Sequence, residues 1–335
     1  MKVLVTGASG LLGRLTAEAL AARGDDVTVL QRRPSGLHLP EVLGDVADPS
    51  AVAEAVRGHD AVVHLAAKVD VVGRWREYER ANVQGTTNIV QACRAAGVGR
   101  LVHVSSPSVA HTGTAIVGAG ADPADPRRAR GHYARSKAMA EQVALAADGG
   151  ALAVVAVRPH LVWGPGDTQL IARIVERARA GRLPVVGSGA ALIDSTYVTN
   201  AVDALVAALD RCDTARGAAY VVSNGEPRPV GELIGDICRA SGVGAPTRHV
   251  PYPVAALAGA AVDAVWAARL ALPALAPPST PPLTRFLAEQ LATAHWFDQR
   301  HTRAALGWTP GVTLDEGLAE LARAGRGAIG RLTAS

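Results

Sequence analysis

Lys2-Val-Leu-Val-Thr6-Gly7-Ala-Ser9-Gly10-Leu11-Leu12-Gly13 is the stretch that decides the fold of this 335-residue chain. Its apolar run predicts a strand, its glycines a tight turn, and the residues up to Arg23 a helix. A second strand is predicted at residues 27–30. Glycines let the backbone approach a pyrophosphate, whose charge is received by the unpaired N–H groups of the helix. We therefore expect a dinucleotide to contact Gly7, Ser9, Gly10, Leu11, Leu12 and Gly13.

The second strand ends in Gln31-Arg32-Arg33. Residues at this position distinguish NAD from NADP. An acidic residue here would accept hydrogen bonds from the ribose 2′-hydroxyl of NAD. Two guanidinium groups suit a 2′-phosphate, although an exposed arginine pair is also typical of a solvated turn. The prediction is that Arg32 and Arg33 select NADP (NADPH).

Two further segments are predicted to meet the cofactor. Asp45, followed by Val46, lies in a turn where a polar side chain could meet an adenine amino group. Residues 59–67 form an apolar run typical of a central parallel strand. The small residues at its end leave room for the cofactor, which is expected to contact Leu65, Ala66 and Ala67.

Lys68 follows this strand directly, at the carboxyl edge of the predicted sheet, where ligands of open α/β sheets bind. The chain has only three lysines, the others being Lys2 and Lys137. Lys68 is therefore a candidate for binding a carboxylate of the substrate. A solvated loop lysine is the alternative.

Polar residues interrupt the next two predicted elements. Asn82 and Gly85 lower the propensity of a helix predicted at residues 78–96, which indicates a packing or functional reason for them. A strand at residues 100–104 is followed by Ser105-Ser106. A hydroxyl at this end of a strand points into the cleft and can hydrogen-bond a carbonyl oxygen, so Ser106 is a candidate catalytic residue.

Tyr133 and Lys137 stand four residues apart at the start of a predicted helix and share one of its faces. A tyrosine can exchange a proton near neutral pH only if a nearby cation stabilises its phenolate. Lys137 would be that cation. The alternative is an ordinary surface helix with a buried aromatic residue.

The composition narrows the class of protein. Hydrophobic residues make up 49% and charged residues 19%, with a net charge of +4, as in ordinary soluble enzymes. The arginines are scattered and form no aromatic-studded basic patch, so we expect no nucleic-acid partner. Three cysteines far apart suggest neither a disulfide framework nor a metal site, and a reducing cytoplasm fits best. No signal peptide is evident.

Residues 251–275 are rich in Ala, Val and Leu, but Asp263, Arg269 and Pro273 interrupt them. We therefore expect no transmembrane span. An apolar substrate pocket, or helices that contact a membrane surface or a pathway enzyme, would explain this composition. The long Gly/Pro/Arg-rich segment 111–131 is either a substrate loop or a surface excursion.

Six motifs occur in order at the spacings of the extended short-chain dehydrogenases, which the chain resembles over nearly its whole length. They are Thr6-Gly7-Ala-Ser-Gly10-Leu-Leu-Gly13, Leu65-Ala66-Ala67, Asn82-Val-Gln-Gly-Thr, Val104-Ser-Ser, Tyr133-x-x-x-Lys137 and Arg158-Pro159. Within this superfamily the chain is similar to the 3β-hydroxysteroid dehydrogenase branch, and especially to bacterial 2-alkyl-3-oxoalkanoate reductases of long-chain olefin biosynthesis. The narrower resemblance rests on Ala66-Ala67-Lys68, Ser106-Pro107-Ser108-Val109, residues 161–167, residues 282–286 and His295-Trp296-Phe297-Asp298.

The resemblance implies a Ser106, Tyr133 and Lys137 catalytic set, with Lys137 also holding the nicotinamide ribose. It implies further cofactor contacts from Asn82, Tyr133 and Pro159, and a substrate region that includes Lys68, Ser106 and Trp163. The implied reaction is reduction of a lipid-like β-keto acid by NADPH, in a homodimer. A sterol-type 3β-hydroxysteroid dehydrogenase and a non-catalytic NADP-sensing regulator are the alternatives.

The predicted fold class is α/β, a Rossmann doubly wound parallel sheet with a smaller, mostly helical C-terminal substrate domain. We expect residues 1–165, with a return segment at about 192–224, to bind the nucleotide. Residues 166–335 are expected to bind the substrate.

Overall fold

The computed structural model describes residues 1–70, 72–111, 113–271, 281 and 283–332. Thr112, Pro282 and residues 272–275, which entered the sequence predictions, lie outside these ranges. The strands are β1 (Lys2–Thr6), β2 (Asp26–Gln31), β3 (Glu41–Leu43), β4 (Ala61–His64), β5 (Arg100–Val104), β6 (Ile116–Ala119), β7 (Ala153–Pro159), β8 (Val162–Trp163), β9 (Val185–Val186), β10 (Leu192–Ile193), β11 (Thr196–Tyr197), β12 (Ala218–Val222), β13 (Arg228–Pro229), β14 (His249–Val250) and β15 (His295–Phe297).

The α-helices are α1 (Leu11–Ala22), α2 (Pro49–Val56), α3 (Trp75–Tyr78), α4 (Gly85–Ala96), α5 (Gly131–Leu145), α6 (Ile171–Arg179), α7 (Val198–Asp210), α8 (Cys212–Ala215), α9 (Val230–Ala240), α10 (Tyr252–Ala271), α11 (Arg285–Ala292), α12 (Arg300–Leu306) and α13 (Leu314–Leu332). A π-helix spans Glu79–Gln84 and a 3-10 helix spans Pro107–Ala110.

Seven strands form the main sheet in the order β12-β7-β5-β4-β1-β2-β3, and every neighbouring pair is parallel. Apolar side chains cover both faces. One face packs against α1 and α7, and the other against α2 and α4. Burial on both faces is why these strands read as continuous apolar runs. The predicted doubly wound Rossmann fold is confirmed.

The element boundaries differ from the predictions in two instructive places. The strand predicted at residues 59–67 ends at His64, so Leu65, Ala66 and Ala67 lie in the turn beyond the sheet. The helix predicted at residues 78–96 begins at Trp75 and contains the π-helix Glu79–Gln84. Such π-bulges are common at functional sites, because they displace side chains from the regular helical face.

The C-terminal part is mostly helical and builds a second core with a small sheet of order β13-β10-β15-β6. Strand β6 belongs to the segment 111–131, which the sequence presents as irregular, and it pairs with β15. That pairing fixes part of this segment against the C-terminal region. The stretch 192–224 contributes β12 to the edge of the main sheet and β10 to the small one.

Helix α10 is long and apolar enough, by length and composition, to cross a membrane: Tyr252–Leu270 has a mean hydropathy of 1.3, and 11% of it is buried. One side of it packs closely on α11. A Cβ on Gly259 would lie 2.6 Å from the Arg285 nitrogen, and Asp263 accepts a hydrogen bond from that nitrogen at 3.0 Å. Leu257 on this helix is 74% exposed.

Candidate active site

The glycine-rich turn between β1 and α1 is a close-packed backbone surface. Gly7 has a φ of +81°, and a Cβ there would lie 2.7 Å from the Ala66 nitrogen. A Cβ on Gly13 would lie 2.4 Å from the Gly7 oxygen. Gly10 caps α1 without any side-chain hydrogen bond, so the first N–H groups of the helix face outward with Ser9 exposed beside them. This arrangement fits the pyrophosphate of a dinucleotide.

Arg32 and Arg33 are both exposed where β2 ends. Within the described ranges, neither makes a hydrogen bond or an ion pair. Nearby, Glu41 accepts hydrogen bonds from the Gln31 side chain and from the Ser35 nitrogen, which fixes the start of this loop. Two unpaired guanidinium groups therefore stand on a well-defined turn.

The turn after β3 is held by hydrogen bonds on both sides. Asp45 accepts from the Ala47 nitrogen at 3.0 Å and from Arg80 at 3.0 Å. The carbonyl oxygen of Val46 accepts from the Asn88 amide at 2.9 Å. The carboxylate of Asp45 thus lies between its own turn and the π-helix.

Tyr133 lies in the first turn of α5, beside the end of β5. Burial around its hydroxyl raises the pKa of Tyr133, and a hydrogen bond with the Ser106 side chain opposes this. The Ser106 hydroxyl is also 2.9 Å from the hydroxyl of Ser108. The three hydroxyl groups form one cluster at the carboxyl edge of the sheet.

Lys137 lies one helical turn after Tyr133 and is only 3% exposed. Its ammonium donates a hydrogen bond to the Val104 oxygen at 2.6 Å. Burial lowers the pKa of Lys137 to about 8, although Glu141 raises it in part. The structure therefore brings Ser106, Tyr133 and Lys137 together where β5 ends.

Asn82 in the π-helix joins three parts of this site. Its amide nitrogen donates to the Ser136 hydroxyl at 2.8 Å and to the Lys68 oxygen at 3.1 Å, and its oxygen accepts from the Lys68 nitrogen at 2.7 Å. Ser136 in turn donates to the Tyr133 oxygen at 2.8 Å. The polar residue that interrupts the predicted helix thus ties the turn after β4 to the helix that carries Tyr133.

A buried hydrogen-bond chain leads to Asn82 from the other side, and the sequence analysis missed it. The Ala66 nitrogen donates to the Thr6 hydroxyl at 3.1 Å, which lies 2.8 Å from Nδ1 of His64. Nε2 of His64 is 3.2 Å from the Thr86 hydroxyl, which donates to the backbone carbonyl oxygen of Asn82 at 2.7 Å.

The directions of these hydrogen bonds fix the protonation of His64. The Thr86 hydroxyl donates its only proton to the backbone oxygen of Asn82, so it can only accept from His64. Nε2 of His64 is therefore the donor, and Nδ1 accepts from the Thr6 hydroxyl. Burial lowers the pKa of His64 to about 3, with the charge of Lys137 adding to the effect, so the ring is neutral. A histidine inside an otherwise apolar predicted strand was the available signal.

A buried ion pair supports α5, the helix that carries Tyr133, and the sequence analysis did not predict it. Arg158 at the end of β7 donates to both carboxylate oxygens of Glu141, at 2.8 and 2.6 Å, and to the Asp122 oxygen at 2.7 Å. Both side chains are at most 2% exposed. This bidentate pair fixes α5 against β7, next to Pro159.

Lys68 is not a free cation. Its ammonium lies 2.6 Å from Asp70 and 3.2 Å from Glu77, and 5.3 Å from the centre of the Tyr78 ring. Hydrogen bonds to the two carboxylates raise the pKa of Lys68 despite the opposing effect of burial. Because two carboxylates already neutralise it, this geometry does not favour binding of a substrate carboxylate.

The position of Trp163 does not favour the predicted contact with the substrate. Its ring is fully buried and packs edge-on against Tyr197, with 5.3 Å between ring centres. Its indole nitrogen donates to the Ser195 hydroxyl at 3.0 Å. The side chain belongs to the C-terminal core. Its large apolar ring is buried there, and its one N–H donor is satisfied.

The sequence is similar to a known enzyme family and to enzymes of known activity. Residues 3–223 match the model of the NAD dependent epimerase/dehydratase family. A 2-alkyl-3-oxoalkanoate reductase of Stenotrophomonas maltophilia is 43% identical, over 96% of this chain and 98% of its own. The human sterol-4-alpha-carboxylate 3-dehydrogenase, decarboxylating, is 30% identical over 94% of this chain and 85% of its own.

Among solved structures, MoeE5 in complex with UDP-glucose and NAD superposes with a TM-score of 0.75 at 27% identity, covering 98% of this chain and 100% of that one. The family model matches more than half of the chain, and a relative is 43% identical over 96% of it, which shows family membership and not only a shared fold. The chain belongs to the NAD dependent epimerase/dehydratase family, as an NAD(P)-dependent oxidoreductase of the extended short-chain dehydrogenase type.

Proposed function

We propose that the protein reduces a 2-alkyl-3-oxoalkanoate to the 2-alkyl-3-hydroxyalkanoate with NADPH, in long-chain olefin biosynthesis. The observation that carries this proposal is the cluster of Ser106, Tyr133 and Lys137 at the end of β5. The relative named 2-alkyl-3-oxoalkanoate reductase, at 43% identity, supports the choice of substrate.

The residues around the cleft fit NADPH. Its pyrophosphate would lie on the turn of Gly7, Ser9, Gly10, Leu11, Leu12 and Gly13, where any Cβ on Gly7 or Gly13 would clash. Arg32 and Arg33 would pair with the 2′-phosphate. We assign the adenine side to Asp45 and Val46, and the nicotinamide side to Leu65, Ala66, Ala67, Asn82, Tyr133, Lys137 and Pro159. When bound, NADPH supplies the hydride.

In this mechanism the protein polarises the ketone and delivers a proton to its oxygen. Ser106 donates a hydrogen bond to the substrate oxygen, which favours charge on that oxygen as the carbonyl carbon is reduced. Tyr133 then gives its phenolic proton to the same oxygen and becomes a phenolate. The Lys137 ammonium stabilises that phenolate, since both groups lie on one face of α5.

A sterol-type 3β-hydroxysteroid dehydrogenase is the second candidate function. The human relative named sterol-4-alpha-carboxylate 3-dehydrogenase, at 30% identity, favours it. Such an enzyme needs the same three catalytic residues but a pocket for a rigid ring system. A non-catalytic NADP sensor would not need the Ser106, Tyr133 and Lys137 cluster.

The test is a substrate panel followed at the nicotinamide absorbance with NADPH and with NADH. We expect 2-alkyl-3-oxo acids to turn over best, and with NADPH. A preference for sterols would support the second candidate instead, and no turnover with either class would contradict both.

We also propose a cytoplasmic homodimer, formed through the helices that carry Asn82 and Tyr133. The nucleotide domain would comprise residues 1–165 with the return segment at about 192–224, and residues 166–335 would bind the substrate. The exposed apolar side of α10, which includes Val254 and Leu257, would contact a membrane surface or a pathway enzyme. Sedimentation velocity tests the homodimer, and vesicle flotation tests the membrane contact of α10.

A further inference from the structure

His64 is a buried titratable residue that the proposed mechanism does not use. It is the last residue of β4 and is 1% exposed. Its ring is bonded on both sides, since Nδ1 lies 2.8 Å from the Thr6 hydroxyl and Nε2 lies 3.2 Å from the Thr86 hydroxyl. A neutral imidazole carries one acceptor and one donor, so it can join two hydroxyl groups into one directed chain of hydrogen bonds.

One half of this chain starts at the turns that are proposed to hold the dinucleotide. The Ala66 nitrogen donates to the Thr6 hydroxyl at 3.1 Å, which leaves the Thr6 proton for Nδ1 of His64. Thr6 directly precedes Gly7, where a Cβ would lie 2.7 Å from the same Ala66 nitrogen. Thr6, Gly7 and Ala66 therefore form one packed unit, and His64 is bonded to it.

The other half of the chain ends at the residue that carries the proposed acid. Thr86 donates to the backbone oxygen of Asn82 at 2.7 Å, and the Asn82 amide donates to the Ser136 hydroxyl at 2.8 Å. Ser136 donates to the backbone oxygen of Tyr133 at 2.8 Å. Because each hydroxyl passes its only proton onward, the direction of donation is the same from Ala66 to Tyr133.

Burial makes this chain costly to distort. The five side chains in it are each at most 1% exposed, and they are Thr6, His64, Asn82, Thr86 and Ser136. A polar group that loses its partner at such a site cannot turn to water instead, so a break at one link leaves its neighbours unsatisfied. The chain therefore resists relative movement of β1, β4, the π-helix and α5.

We propose that His64 is a positioning residue, which acts through Thr86 and Asn82 to hold Tyr133 in line for proton transfer. The inference rests on the proposed function, because it takes Tyr133 as the acid. The phenol must come within hydrogen-bond reach of the substrate oxygen while the dinucleotide lies on the turn after β1. One chain of hydrogen bonds thus sets the cofactor turn and the proton donor relative to each other.

The experiment measures reduction of a 2-alkyl-3-oxo acid with NADPH by Thr86→Val and by His64→Leu. Thr86→Val removes the hydroxyl group with little change in side-chain volume. We expect each variant to lower kcat by about 10- to 100-fold, because a small displacement of a catalytic group has effects of this size. KM for both substrates should stay within about threefold. His64→Gln, which keeps an N–H donor, should restore part of the loss.

Two threonines provide matched controls. Thr87, next to Thr86, also donates to the backbone oxygen four residues earlier, that of Val83, at 2.9 Å. Thr302 is 3% exposed and donates to the Val221 oxygen at 2.8 Å, on the edge strand β12. Thr87→Val and Thr302→Val remove comparable hydrogen bonds outside the chain, so both should keep the wild-type kcat even if their melting temperatures fall.

A second readout separates positioning from general support of the fold. Because Thr86 acts through Tyr133, adding Thr86→Val to Tyr133→Phe should lower the residual turnover by less than about twofold. A loss of 10-fold or more in the Tyr133→Phe background would overturn the proposal. Wild-type kcat in Thr86→Val would overturn it too. If His64→Leu does not fold, as judged by its melting curve, Thr86→Val alone and in the double variant decides.

The outcomes also distinguish this inference from the proposed function. A wild type that reduces sterol-type ketones and not 2-alkyl-3-oxo acids would overturn the proposed substrate, and the same variants assayed on that ketone would still support or overturn the role of His64. A wild type without turnover on either class would overturn both.

Discussion

The Lys137 ammonium donates a hydrogen bond to the carbonyl oxygen of Val104, with 2.6 Å between nitrogen and oxygen. Val104 is the last residue of β5, so the edge of the main sheet fixes the position of this cation. Tyr133 is one helical turn away on α5. The fold therefore holds a buried positive charge where a phenolate would form, and burial lowers the pKa of Lys137 to about 8.

This burial should make Lys137 a source of both activity and instability. We expect Lys137→Met to abolish turnover and to raise the free energy of unfolding at pH 7 by roughly 1–3 kcal/mol, because a buried charge is removed. Urea unfolding at pH 7 measures the second effect. Lys2→Met, at the exposed start of β1, is the control and should change neither quantity. A less stable Lys137→Met protein would contradict the argument.

The same pKa predicts how the protein responds to pH. Between pH about 8 and the ordinary value of 10.5, the folded protein binds fewer protons at Lys137 than the unfolded chain does. The contribution of Lys137 to stability therefore rises with pH in this window. Activity should fall in the same window as the cation is lost. A kcat profile that stays flat from pH 7 to 10 would argue against Lys137 as the stabiliser of the phenolate.

Replacing Arg32 and Arg33 together with alanine should erase the preference for NADPH. Each charge-assisted hydrogen bond to the 2′-phosphate is worth about 1.5–3 kcal/mol, so Kd for NADPH should rise while Kd for NADH stays nearly constant. Isothermal titration calorimetry measures both constants. The double change Arg179→Ala with Arg182→Ala removes two exposed arginines at the end of α6 and serves as the charge-matched control. A double mutant that still prefers NADPH would show that these arginines are ordinary surface residues.

Asn82→Ala should weaken the link between the turn after β4 and α5. The change leaves the backbone groups of Lys68 and the hydroxyl of Ser136 without their partner, at a cost of roughly 1–3 kcal/mol in stability. We expect kcat to fall as well, because Ser136 bonds the backbone of Tyr133. Thermal unfolding and steady-state kinetics measure the two effects. Gln84→Ala, which removes an amide that donates to the Asn88 side chain, is the control.

Lys68→Met tests whether Lys68 binds the substrate carboxylate, as the sequence predicts, or only pairs with its two neighbouring carboxylates. Because Asp70 and Glu77 already neutralise this ammonium, we expect activity on a 2-alkyl-3-oxo acid and on its methyl ester to fall by the same factor. A loss confined to the acid, seen in kcat/KM, would restore Lys68 as the carboxylate ligand.

The sequence predicted those features that depend on short-range spacing. The glycines of the first turn and the four-residue spacing of Tyr133 and Lys137 determine local geometry by themselves, so they could be interpreted without a structure. The ends of the parallel strands also followed from the fold class, which is why Ser106 was expected near Tyr133.

Features that depend on distant partners could not be predicted. Trp163 is a large aromatic residue of the kind that often lines pockets. Its packing on Tyr197, which the sequence does not reveal, places it in a core. The π-helix arises where Asn82 reaches Ser136, which is 54 residues away.

The measurement that tests the central claim most directly is turnover of a 2-alkyl-3-oxo acid by Tyr133→Phe with NADPH. We expect kcat to fall by two or more powers of ten, since only the proton donor is lost, with Kd for NADPH nearly unchanged. Tyr252→Phe, on the exposed side of α10, is the matched control and should retain wild-type turnover. Turnover at the wild-type rate in Tyr133→Phe would contradict the assignment of Tyr133 as the acid and with it the proposed mechanism.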